Sequence, residues 1–281
     1  MDGTINARNS STRYLRIINI FAFIAMVAVN ILAEVLPING VTSGQVSDSY
    51  ASLFTPAGIT FSIWGVIYIG MAYFAFWQAF TKNDDIVDRI GISFAISCAL
   101  NIAWLILWHY NMVYLATVVI FVLLFTIGDI RKTVWSSDEI STCNEDSCSL
   151  DSGSKGKANW AIKAGFSIYN AWILMASIAS AFIIAGDLFS GFAFSVLAQV
   201  LVCMALLAAA IMAFARVRLS GDIAWALTTA WTVAGIIIKH MAETGIGFSG
   251  EFKAVLITAC ASLAAAVLSI LLIRKKGMEM I

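Results

Sequence analysis

Apolar residues fall in long, nearly uncharged runs separated by short charged or glycine-containing breaks, and none of the runs alternates with the strict in-and-out rhythm of a strand. A helix of about 20 apolar residues crosses the hydrocarbon core and satisfies its own backbone groups there. Barrel strands would be shorter and would alternate. With charges, Pro and Gly clusters as boundaries, spans are predicted at about 15–37, 56–80, 89–108, 111–130, 160–185, 190–215, 221–239 and 252–273. The expected fold is therefore all-α, a polytopic membrane helix bundle with about eight transmembrane helices.

Basic residues give the spans a direction. Arg8, Arg13 and Arg16 precede the first span, Lys82 and Arg89 bracket the second connection, and Arg131, Lys132, Lys155, Lys157 and Lys163 fill or flank the fourth. Arg216 and Arg218 follow the sixth, and Arg274, Lys275 and Lys276 follow the last. With eight spans all these clusters fall on one side, and the positive-inside rule makes that side cytoplasmic, with both termini on it and residues 1–14 as a cytoplasmic tail. Dropping or adding one span scatters them across both faces.

Composition agrees. The 281 residues are 60% hydrophobic and 12% charged, against about 25% charge in ordinary soluble domains. Net charge is zero with no basic face, which excludes nucleic acid as a partner and leaves the bilayer as the first one. Cys98, Cys203 and Cys260 lie inside apolar runs and read as small hydrophobes. Cys143 and Cys148 form a C-x4-C pair, without the four ligands or the tighter paired spacing of a zinc site. No Ser-His-Asp set, paired histidines or phosphate loop is visible, and His109 and His240 are isolated, so no metal site and no catalytic residue is assigned.

Two connections are long. The first, 38–55, ends in Thr55 and Pro56, an expected N-cap followed by a proline at the first helical position, and is placed to fold over the mouth of the bundle. The other, 131–159, is rich in Ser, Asp and Glu and is expected to be a disordered cytoplasmic insertion.

Amide and aromatic residues deep in spans carry the candidate chemistry. Phe61, Trp64, Tyr68 and Met71 share a stripe of the second span; Asn101, Trp104 and Trp108 share one of the third; the fifth adds Tyr169, Asn170 and Trp172, and the seventh Trp225 and Trp231. Trp77, Trp108 and Trp160, near predicted ends, are expected in the interfacial belts. An amide and indoles at the depth of Asn101, Trp64 and Trp104 must face protein or a cavity, and helix packing and a ligand pocket are both open readings. Glu34, Asp129 and Asp222 sit close to predicted interfaces, which argues against an ion relay through the middle; Asp222 with Ser220 is placed to cap or begin the seventh helix.

At Pro56, Trp64 and Tyr68, then Leu100, Asn101 and Trp104, then Ala171, Trp172 and Ala176, the chain resembles the translocator protein family, also called the tryptophan-rich sensory protein or TspO/MBR family. The W-x3-Y, L-N-x2-W and A-W-x3-A motifs stand in the family's order on the second, third and fifth spans, and S-D-S-Y at Ser47 to Tyr50 and the stretch from Phe54 to Gly65 match longer relatives. The resemblance covers about 15–185 and implies a five-helix bundle there, with three further helices in 186–281 and a short basic C-terminal tail. It also implies a cavity beneath the first loop for porphyrin, haem-like tetrapyrroles or sterols, with Trp64, Tyr68, Asn101, Trp104 and Trp172 as ligand-binding residues, no required cofactor, and a homodimer as in other members. Gly58 stands where many members carry tryptophan, Ser180 replaces an asparagine, and the proline before Trp172 is missing, so the ligand is the least transferable part.

The function expected from all this is a sensor or carrier binding a planar hydrophobic ligand in a tryptophan-lined cavity. A secondary transporter, for which the span count and an inverted echo between Phe61–Ile63 and Phe166–Ile168 argue, and a porphyrin-modifying enzyme are the alternatives.

Overall fold

A computed structural model describes residues 2–36, 38–81, 84–136, 152–243 and 252–278. Its helices are α1 (Asp2–Val35), the short α2 (Ser43–Asp48), α3 (Ile63–Phe80), α4 (Asp84–Ile90), α5 (Ser93–His109), α6 (Val113–Ser136), α7 (Ser152–Leu188), α8 (Val196–Ser220), α9 (Ile223–Glu243) and α10 (Lys253–Met278), with 3-10 turns at Ile38–Gly40 and Gly58–Ser62. Seven described segments are long and apolar enough to span a bilayer. The remaining predicted span is α5, 17 residues long. At 1.5 Å per residue that is about 25 Å, the short end of the spanning range.

Helices reach into the segment expected to be a disordered insertion, since α6 runs to Ser136 and α7 begins at Ser152; 137–151, with Cys143 and Cys148, lies outside the described residues. Likewise α1 begins at Asp2, so the expected tail continues the first helix.

Side-chain bonds between distant helices confirm the alternation of direction. At one end the Thr12 hydroxyl donates to Asp88, Arg16 to the Thr81 carbonyl, and Arg89 to Ser136. At the other, Asn39 donates to the His109 carbonyl and Tyr114 to Asp187. We call these the basic end and the loop end. The clustering of Ala266 with Val217 and Trp225 brings the later half of α10 to the basic end, where α1 starts.

The core has two lobes with α7 as their common wall. One cluster joins α1, α3, α5, α6 and α7 through Met26, Phe74, Phe94, Ile120 and Phe166. Others join α7 to α8, α9 and α10 through small residues such as Ala209, Ala213, Ala226, Ala259 and Ala266. Small side chains let helix backbones approach where lipid supplies no hydrophobic drive. The backbones of α3 and α7 meet at two glycines: a Cβ on Gly70 would sit 2.9 Å from the Gly165 Cα, so only glycine fits.

The loop from α1 to α3 begins with Thr42, whose side chain accepts from the Gln45 N–H while Gln45 reaches back to the Thr42 N–H, a capping box that fixes α2. Its end departs from expectation. Thr55 does not cap α3 and Pro56 is not its first residue: Ala57 is extended, and the helix enters through the 3-10 turn Gly58–Ser62 without a side-chain cap. The reason is tertiary, because the Ala57 N–H donates to the Gly235 carbonyl at 3.0 Å, and the Thr55 hydroxyl donates to the Ser52 carbonyl and accepts from Lys239.

Candidate functional site

Helical periodicity turns Trp64 and Tyr68 of α3, Asn101 and Trp104 of α5, and Trp172 of α7 toward one another. Trp64 stands at the centre, its ring centroid 5.7 Å from that of Tyr68, 5.7 Å from Trp104 and 6.2 Å from Trp172. Phe61 meets Trp172 edge-on at 5.6 Å, and Trp104 stacks on Trp108 at 5.9 Å. Offset and edge-to-face contacts of this kind suit the aromatic quadrupole.

Towards the basic end the cluster rests on a polar chain. The Tyr68 hydroxyl donates to Asn30 Oδ1 at 2.5 Å, Asn30 Nδ2 donates to Asn101 Oδ1 at 2.8 Å, and Asn101 Nδ2 donates to the Tyr169 hydroxyl at 3.2 Å. Four helices are thereby tied at a depth where an unpaired amide costs several kcal/mol. Two donors are left over: among the described residues, the buried Nε1 groups of Trp104 and Trp172 have no hydrogen-bond partner.

Two spaces adjoin the cluster. Trp104, Trp108, Trp172 and Phe61 line an internal cavity of about 30 Å³ beneath the loop, with Ser47, Thr55, Ser180 and Thr232 at its margins. That is room for a water molecule, not for a ring system. On the other side of Phe61 and Trp64 a cleft of about 520 Å³ opens between α1, the loop and α3, lined by Asn30, Glu34, Asp48, Phe61, Trp64 and Tyr68. This is ligand-sized.

The profile described as TSPO-like protein matches residues 16–273. The chain belongs to the TSPO-like family. The match spans all of the long helices, the last three included. No curated protein and no solved structure matches the chain.

In this TSPO-like chain the sequence reading missed Asn30, one of two amides, with Asn19, in the first span; its place inside the apolar run 20–33 was the available signal. Trp108 was expected in an interfacial belt, but it is buried, stacks on Trp104 and donates to the Ser43 carbonyl at 3.1 Å, fastening the loop. Trp160 is exposed, as a belt residue is. Trp225 and Asn170 lie elsewhere, bonded to each other at 3.3 Å in the second lobe, while Trp231 donates to the Thr60 carbonyl.

Asp222 also departs from the reading of an interfacial charge. Its carboxylate is fully buried, accepting from Arg131 at 2.5 and 3.2 Å and from Ser167 at 2.8 Å, and its second oxygen caps α9 by accepting from the Trp225 N–H. The capping role was legible; the partner 91 residues away was not.

Proposed function

We propose that this membrane protein binds a flat hydrophobic ligand, of the tetrapyrrole, sterol or lipid kind, in the cleft beside Trp64, as a sensor or carrier. The observation that carries the reading is the pair of unpartnered indole N–H groups on Trp104 and Trp172 behind the aromatic wall. An acceptor oxygen delivered to them would relieve two buried unsatisfied donors at once. Displacing Phe61 and Trp64 joins the small cavity to the cleft, because Phe61 borders both.

Residues on the page narrow the ligand. Glu34 borders the cleft, and Asp48 borders it with its charge met by Lys239, so the cleft has no net positive charge, and an uncharged acceptor edge such as a hydroxyl or ester carbonyl suits it better than a pair of propionates. The cleft lining includes no His, Cys or Met, and its Tyr68 hydroxyl is engaged with Asn30, so a metal-free ring is a better fit than a haem iron. With the basic end cytoplasmic, both termini lie inside and the loop faces the opposite compartment.

Titrating the purified protein with protoporphyrin IX dimethyl ester, with the free acid and with haemin, following tryptophan fluorescence, tests this. Saturable quenching is expected, tightest for the ester, weakened by Trp64→Ala and by Trp172→Phe, which keeps the ring and removes the donor. Equal quenching in parent and variants overturns the pocket assignment, and a clear preference for haemin overturns the ligand class.

A further inference from the structure

A short turn stands between the two spaces that adjoin the aromatic cluster. The 3-10 turn Gly58–Ser62 carries Phe61, whose ring borders both the internal cavity and the cleft and meets Trp172 edge-on. Local sequence holds this turn weakly, because it has no side-chain cap and 3-10 hydrogen bonds have poorer geometry than those of an α-helix. Two ties to another helix reach it, and both come from α9: the Trp231 Nε1–H donates to the Thr60 carbonyl at 3.0 Å, and the Gly235 carbonyl accepts from the Ala57 N–H at 3.0 Å. Trp231, Gly235 and Lys239 follow at four-residue steps, so one face of α9 meets the turn and then the loop before it. Thr232, the neighbour of Trp231, lines the internal cavity itself. The closed position carries a cost: Thr60 is buried against Gly235, where no side chain fits, and among the described residues its hydroxyl has no hydrogen-bond partner. A displaced turn would shed that unsatisfied group.

We propose that Phe61 is a gate between the cleft and the internal cavity, and that Trp231 and Gly235 of α9 are the positioning residues that hold it shut. The cavity is water-sized, so what passes the gate is the oxygen-bearing edge of a ligand whose body stays in the cleft. Reaching the Trp104 and Trp172 donors means displacing Phe61, and displacing the turn that carries Phe61 means breaking the Trp231 bond. The three C-terminal helices thereby oppose binding through one turn, and the strength of their hold on Thr60 sets how readily the cavity opens. For its ligand this rests on the cleft-binding reading above; the gate itself does not.

The full-length protein with Ser180→Cys carries a thiol on the internal cavity. Its labelling by a water-soluble methanethiosulfonate, less that of the same protein without the substitution, reads opening without any ligand. Trp231→Phe keeps a ring and removes the donor, and should speed labelling about fivefold, the scale on which one lost hydrogen bond moves an equilibrium. Gly235→Ala, which wedges Thr60 outward, should do the same. In a Phe61→Ala background neither should add anything, since no gate is left to hold. Affinity for protoporphyrin IX dimethyl ester should rise by about the same factor in Trp231→Phe, because the open state is the one that binds, whereas loss of a merely structural contact would lower it. Unchanged labelling in both α9 variants, acceleration that persists with Phe61→Ala, or a fall in ester affinity overturns the gate. Labelling as expected with no binding of the ester upholds the gate and overturns the ligand class.

Discussion

Lys239 Nζ lies 2.7 Å from Asp48 Oδ1 and 3.3 Å from the Thr55 hydroxyl, joining α9 to a loop almost two hundred residues earlier. His240 Nε2 lies 3.0 Å from the Leu53 carbonyl oxygen beside it. The C-terminal helices therefore fasten the loop that roofs the aromatic cluster. Lys239→Met removes the ion pair while keeping the stem, and should raise hydrogen exchange of the amides in 43–57 several-fold with the helices unaffected; unchanged exchange would show that the loop is held without it. A half-buried pair of this kind is worth about 1 kcal/mol.

Gly235 faces the same loop. A Cβ there would fall 2.0 Å from the Thr60 hydroxyl and 3.0 Å from Pro56 Cβ, whereas one on Gly65 meets nothing within 4 Å. Gly235→Ala should cost about 1–3 kcal/mol through overpacking, and Gly65→Ala should be neutral or stabilising by up to about 1 kcal/mol through helix propensity. Melting temperatures of the two variants in the same detergent decide it.

The Arg131–Asp222 pair predicts a non-additive cycle. Asp222→Asn or Arg131→Met alone leaves a buried charge without its partner and should destabilise by about 3–5 kcal/mol, while the double replacement should recover a large part of that loss. Additive losses in a denaturant titration would show that the two residues act independently.

Tyr50, in the loop, has its phenol pushed above the ordinary 10.0, first by burial and then by the negative charge of Asp187. The folded state thus keeps a proton that the unfolded chain releases. This contribution to stability is complete below 10.0 and is lost as pH rises through the higher folded value. The free energy of unfolding, measured from pH 9 upward, should fall less steeply in Tyr50→Phe than in the parent, and identical slopes would contradict this.

Much of the architecture was legible because the bilayer acts on local sequence. Charge clusters marked one end of every span, and the motif residues Trp64 and Tyr68, and Asn101 and Trp104, recur at spacings that one helix face dictates. What escaped depends on partners far away in sequence. Trp108 looked interfacial by its distance from the helix end, yet the loop folds over it; Thr55 and Pro56 looked like a helix start, yet the Gly235 carbonyl and Lys239 claim that stretch instead. The size of the internal cavity was equally hidden, since a stripe of indoles reads the same whether the rings enclose a ligand or fill the space themselves.

The glycine contact between α3 and α7 has a mechanical meaning. Gly70 lies six residues from Trp64, and Gly165 seven from Trp172, about 10 Å along each helix. Because the two helices run in opposite directions, both indoles lie on the loop-end side of the crossing, at nearly equal arms. A rotation of about 10° about that pivot moves one indole relative to the other by roughly 2 Å on arms of this length. The helices need not slide or separate to open the aromatic wall; they only need to scissor.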